Sequence, residues 1–305
     1  MAINSSLFTK ATKSQAKARV AFSGPSGAGK TYWALTMATQ LAEGGEIAVI
    51  DTERSSASLY ADKFDFQTLS MAPPYDPARL IEILKEAENA GFTVIVIDSL
   101  THFWSGKGGV LDIVEEAKKG GTNSYTAWAA GTPIHQAMVD ALLSFNGHVI
   151  VTMRSKTEYS MDKNANGKTE IKKVGMAPQQ RDGIEYEFTL VLDVDIHHRA
   201  TVSKTRCEAL ADKIFPSTEG DELCTQFINW LGAGDPLLSQ NQRDAIDNKI
   251  RSLTPAQRRD LSKTWANSGL PKVNAMPVSK LDEVEQLIAL ASSTKVTEDP
   301  VEASA

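Results

Sequence analysis

"RVAFSGPSGAGKTYWALTMATQLAEGG", residues 19–45, is the stretch on which the fold turns. "RVAFSG" reads as a short buried strand. "TYWALTMATQLA" has helical character and stops at Gly44-Gly45. Between them, Gly24, Pro25, Ser26, Gly27, Ala28, Gly29, Lys30 and Thr31 fit the phosphate-loop pattern, Gly-x4-Gly-Lys-Thr, in the strand-then-helix context that it needs. Glycines let the main chain wrap phosphates. The amides of Gly27, Gly29 and Lys30 are expected to point inward, with the helix N-terminus behind them. Lys30 would reach the outer phosphates of ATP and Thr31 would ligand Mg²⁺.

The same rhythm continues downstream. "EIAVID" is a second strand, "DPARLIEILKEAENAG" a helix with Asp76 as N-cap and Gly91 at its end, and "TVIVIDSL" a third strand. A helix is expected around 126–145, followed by the strand "HVIVTMR". "EFTLVLDVD" and "RATVSKTR" form an antiparallel hairpin around "IHH". The fold class is α/β, a doubly wound and mostly parallel sheet with an antiparallel edge. Asp98 ends the third strand, where a carboxylate holds Mg²⁺. "IAVIDTERSSASLY", residues 47–60, places Asp51, Thr52 and Glu53 directly after an apolar run, a costly arrangement unless the acids are used. In a doubly wound sheet these strand ends converge on the nucleotide crevice. Glu53 would then face the outermost phosphate and orient or deprotonate the attacking water. Kinases of small metabolites also carry acids there, so this stretch alone leaves the reaction open.

The chain has 305 residues, 42% of them apolar, a formal net charge of −6 and two cysteines, Cys207 and Cys224. That size supports one large core with a small appendage. The acidic balance argues against a basic nucleic-acid coat but leaves room for a local basic segment. The cysteines read as reduced thiols, and no apolar run approaches membrane length, so a cytoplasmic protein with no membrane partner is expected. The organisation reads as an N-terminal arm (1–18), a core (19–232), a linker (233–240), a helical C-terminal domain (241–292) and a disordered tail (293–305). Thr254 with Gln257, and Ser279, mark helix starts in the C-terminal part.

The run "GPSGAGKT…IDTERSSASLYADK…VIVIDS…VSKTR" resembles the RecA-like core ATPases, and most closely the Sak group of bacteriophage recombination ATPases. The resemblance spans about 19–231 and implies a RecA-like fold, ATP and Mg²⁺ as cofactors, and a catalytic Glu53. It also implies a Tyr60 that stacks on adenine, and Lys204 and Arg206 reaching a neighbouring subunit's phosphates. It further implies single-stranded DNA held by two loops, here 104–125 and 154–181. The second contains Arg154, Lys156, Lys163, Lys168, Lys172, Lys173 and Arg181 against Glu158, Asp162 and Glu170, a locally basic segment in an acidic chain. The family's glutamine sensor is replaced by Thr152-Met153-Arg154. Phe8 and Ala11 match a Phe-x-x-Ala docking clasp. The implied function is an ATP-dependent, DNA-binding ATPase of phage homologous recombination or annealing, assembling head to tail on single-stranded DNA. The basic C-terminal helices fit guidance of DNA, docking of a partner such as a single-strand-binding protein, or a plain solvated face, the last being the expectation. The alternatives are a ring helicase motor and a P-loop kinase or ATPase that does not act on DNA.

Overall fold

The computed structural model describes Lys13 and residues 16–121, 123–163 and 169–293. The motif Phe8/Ala11, Lys168 and the tail from 294 lie outside the described residues. The chain divides into a larger unit, Lys17–Trp230, and a smaller one that includes Leu231 onward.

The larger unit grows from its parallel strands. β1 (Arg19–Gly24) and β4 (Val94–Asp98) are buried at every position, as strands covered on both faces must be. The sheet order is β3 (Gln67–Ser70), β2 (Ile47–Asp51), β4, β5 (His148–Lys163), β1, β7 (Leu190–Val194), β8 (Ala200–Thr205) and β9 (Ile214–Phe215). Pairing is parallel from β3 through β7 and antiparallel from β7 to β9. The helices of this unit are α1 (Lys30–Ala42), α2 (Pro77–Ala90), α3 (Thr101–Ser105), α4 (Val110–Lys119), α5 (Ser124–Ser144) and α6 (Gly220–Gly232). Local signals set their limits. The Asp76 side chain accepts from the Ala78 amide at 2.8 Å, and Gly91, at φ 86°, closes α2. In register, Asp51 lies opposite Asp98 at the same end of the sheet, and β1 delivers Gly24 beside Arg154 of β5. This is the expected doubly wound class with an antiparallel edge.

Two expected loops are regular structure. The segment 154–181 is largely a two-stranded ribbon: β5 runs past the sheet to Lys163 and pairs antiparallel with β6 (Thr169–Pro178). The strands themselves carry β-forming residues, among them Thr157, Tyr159, Thr169, Ile171 and Val174. The segment 104–125 contains α4, with Asn123 capping α5 through the Thr126 amide.

In the smaller unit, α7 (Gln240–Ser252), α8 (Pro255–Ser268) and α9 (Leu281–Ser293) enclose Ile246, Leu253, Leu261, Met276, Val284 and Ile288. Thr254 and Gln257 form the expected capping box, and Ser239 with Gln242 forms a second one. Within 233–240, Leu238 is buried in this core, so that end of the expected linker is packed. Ser279 does not cap α9. It sits in a 3₁₀ turn, Val278–Lys280, and its hydroxyl bonds Asp235. No helix among the described residues is long and apolar enough to cross a membrane.

One buried charge ties the start of β1 to the end of α5. The Arg19 guanidinium donates to the carbonyls of Ala18 (2.9 Å), Gly147 (2.7 Å), Leu143 (2.8 Å) and Phe145 (2.6 Å). Burial pushes its pKa down to about 10, still far above neutrality, so it remains the cation that the helix C-terminus attracts. Arg19→Met should destabilise the protein by about 3 kcal/mol, because buried carbonyls lose their donors. Thermal denaturation should show a fall of roughly 6–12 °C, and an unchanged transition would mean that those carbonyls find other donors.

Candidate functional site: a phosphate-loop cleft

The phosphate loop leaves β1 at a glycine because nothing larger fits. A Cβ on Gly24 would collide with the Val194 carbonyl of β7. Gly27 and Gly29 follow in the left-handed region, at φ 78° and 90°. Lys30 opens α1 and folds back to the Pro25 carbonyl at 2.8 Å. Burial lowers its pKa, and Asp98 and Glu53 oppose that shift. Thr31 Oγ1 donates to Asp98 at 2.6 Å, and Thr152 donates to the other oxygen of the same carboxylate. Asp98 is 2% exposed, and burial raises its pKa against these two bonds. A buried carboxylate beside a threonine hydroxyl, lacking a cation partner among the described residues, is an oxygen donor set suited to Mg²⁺.

The acids after β2 have separate duties. Asp51 is fully buried, and its oxygens accept from the amides of Glu53 (2.7 Å), Ser55 (3.2 Å) and Ala57 (2.8 Å). These bonds wind the chain into a tight turn, with Arg54 and Ser55 at positive φ. Thr52 joins the turn to β4: its amide donates to the Asp98 carbonyl at 2.7 Å, and its hydroxyl accepts from the Ser99 amide at 2.8 Å. The Thr52 hydroxyl also lies 2.7 Å from His102 Nδ1, whose ring stacks on Tyr75. The turn thereby aims Glu53 across the sheet edge at Arg154, which donates through Nε at 2.9 Å and Nη2 at 2.5 Å. Burial works to raise the Glu53 pKa, but hydrogen bonding and charge from Arg154 outweigh it and hold the carboxyl below its ordinary value. Glu53 therefore stays ionised.

Glu53, Arg154, Lys30, Thr31, Asp98 and Tyr60 line one cleft of about 540 Å³ with the loop glycines. The Tyr60 ring meets that of Tyr32 edge-on, 6.1 Å between centres. The remaining expected residues lie elsewhere. The Lys204 ammonium is bound by its own chain: it donates to the carbonyls of Glu185 (3.0 Å), Tyr186 (2.8 Å) and Phe188, capping the turn Ile184–Glu187. Within this one chain those three carbonyls are what the Lys204 ammonium meets. Arg206 lies just past β8 and is exposed. Of the basic segment, Arg154 and Lys156 are exposed at the root of the ribbon, while Lys163, Lys172 and Lys173 fall within its strands.

Two further residues matter: Asp51, which the sequence marks as an acid beside Glu53 without showing its role, and His198, which carries no motif signal. Asp51 is the structural partner of Glu53. His198, in the turn between β7 and β8, lines the cleft and lies against the phosphate loop. The paired histidines of "IHHRA" mark the turn but not the contact.

A phosphate loop at the switch edge of a doubly wound sheet, with a carboxylate on the next strand but one, defines a nucleotide-binding P-loop NTPase. A family model described as an AAA domain (AAA_24) matches residues 16–214, and the chain belongs to that family. Among solved structures, the chain is similar to the crystal structure of the RadB recombinase. The two share 16% identity over 63% of this chain and 83% of that one, at a TM-score of 0.33. No curated protein matches the chain.

Proposed function

We propose that this protein is a Mg²⁺-dependent ATPase that binds single-stranded DNA and works as a head-to-tail oligomer in phage recombination or annealing, in the cytoplasm of the host cell. The observation that carries the reading is the convergence of Lys30, Thr31, Asp98 and Glu53 on one cleft. Lys30 would hold the outer phosphates once its bond to Pro25 is exchanged for them. Thr31 and Asp98 would hold Mg²⁺, which supplies charge neutralisation of the phosphates. Glu53, kept ionised, would orient and deprotonate water, and Tyr60 would pack on the base. Arg206 is the exposed cation available to complete a neighbouring subunit's site. In this reading the terminal phosphate competes with Glu53 for Arg154, which frees Glu53.

Arg154 also sits where β5 leaves the sheet, and its carbonyl accepts from the Gln179 amide on the returning side of the ribbon at 2.6 Å. A displaced Arg154 would therefore move the base of the basic segment. That continuity supports a DNA role over a kinase role.

Glu53→Gln should bind ATP as wild type does but hydrolyse it roughly 100-fold more slowly, since only the water-activating charge is removed. Equal loss of binding and turnover would make Glu53 purely structural. Neutralising Lys168, Lys172 and Lys173 together should weaken single-stranded DNA binding in an anisotropy salt series. The log–log slope should fall by roughly 0.7 for each phosphate no longer engaged. An unchanged slope and affinity would place DNA binding elsewhere.

A further inference from the structure

The turn between β7 and β8 is built more firmly than a chain reversal needs. Asp195 accepts from the amides of His197 (2.8 Å) and Arg199 (3.0 Å), and from Arg199 Nε at 2.8 Å. Main-chain bonds from Asp195 to the Arg199 carbonyl and from His198 to the Asp195 carbonyl, both 3.0 Å, close it. These leave His198 in the left-handed region at φ 63°. Glycine or asparagine would occupy that position at lower cost, so the turn itself does not call for histidine.

The side chain supplies the reason. His198 Nδ1 lies 3.0 Å from the carbonyl oxygen of Ala28, in the phosphate loop. A carbonyl oxygen only accepts, so Nδ1 carries the proton and donates. The His198 carbonyl in turn accepts from Trp33 Nε1 at 3.1 Å, and Trp33, 2% exposed, stacks on Phe22 of β1. The turn is thus fastened to both α1 and the loop that precedes it. A Cβ on Gly29 would stand 3.3 Å from the same imidazole nitrogen, so the ring fits closely against a bare backbone.

We propose that His198 is a positioning residue for the phosphate site: by holding the Ala28 carbonyl outward, it aims the Gly29 amide inward at the phosphates. The peptide unit joining Ala28 to Gly29 is planar and trans, so its C=O and N–H point in opposite directions and fixing one fixes the other. Glycine at 27 and 29 makes this loop free to rotate its peptides, and His198 removes that freedom before ligand arrives. A donor already aimed at the phosphate spares the ligand the cost of ordering it. The proposal rests on the nucleotide reading of the cleft, and the ligand class is a nucleoside di- or triphosphate.

The test compares His198→Ala, His198→Asn and His198→Gln by titration with Mg-ADP and with a non-hydrolysable Mg-ATP analogue, and by steady-state turnover. The Asn amide nitrogen stands the same number of bonds from Cα as Nδ1, and the Gln amide corresponds to Nε2. Ala and Gln should weaken both ligands by roughly three- to tenfold. The effect should fall on KM more than on kcat, and Asn should recover most of the loss. Wild-type affinity in the Ala variant overturns the proposal. So does an Asn variant no better than Ala. Rescue by Gln and not by Asn would mean that the ring touches ligand directly, which also overturns it. Lys30→Ala separates this failure from failure of the site: if Lys30→Ala still binds nucleotide, the cleft reading is wrong, whereas loss in Lys30→Ala with no effect at His198 sinks only the positioning role.

Discussion

Three carboxylates crowd one edge of the sheet, and the site depends on how each is neutralised. β2 and β4 run in register with Asp51 opposite Asp98, and Glu53 follows two residues later. Burying an uncompensated carboxylate costs several kcal/mol even after relaxation. The structure meets that cost in three different ways. Asp51 takes main-chain amides and becomes the frame of its turn. Asp98 takes two hydroxyls, a weaker compensation that leaves its pKa raised and its oxygens suited to a cation. Glu53 takes a guanidinium, the one compensation here that comes from a side chain exposed at the protein surface. The gradient from fixed amides to a releasable ion pair runs from scaffold to reactive group.

Arg154 belongs to both the cleft and the ribbon. Its side chain neutralises Glu53 in the cleft, and its main chain belongs to the strand that becomes the ribbon. The Arg154 amide donates to Thr101 Oγ1 of α3 at 2.9 Å and its carbonyl accepts from the Gln179 amide, so this residue joins α3 to the returning side of the ribbon's base. Lys204 adds to the same region from β8 by capping the turn that follows the ribbon. A pair at the surface such as Glu53 with Arg154 contributes little to stability, so breaking it is inexpensive.

Much of this was legible in the sequence because the signals are local. The Gly-rich loop between strand and helix, the apolar strand ending at Asp98 and the caps at Asp76 and Thr254 depend on neighbours a few residues away. What was missed depends on distant partners or on competition between readings. Ser279 has the character of a cap, but Asp235 takes its hydroxyl. Lys204 has a spacing that says nothing of the carbonyls it meets within the chain, in a turn 16 to 19 residues earlier. The segment 154–181 looked like a charged loop because its lysines outweigh its alternation of β-formers. His198 had no signature, since its partner Ala28 lies 170 positions away.

The claim that the phosphate end of the cleft is wired to the ribbon through Arg154 is tested most directly by hydrogen exchange. Peptides covering 24–31, 51–60, 154–163 and 169–178 would be followed with Mg-ADP and with a non-hydrolysable Mg-ATP analogue. The account predicts protection of 24–31 with both ligands, and altered exchange in 51–60 and in both ribbon strands with the triphosphate alone. Ribbon exchange that is identical in the two nucleotide states, with the phosphate loop protected in each, would contradict it.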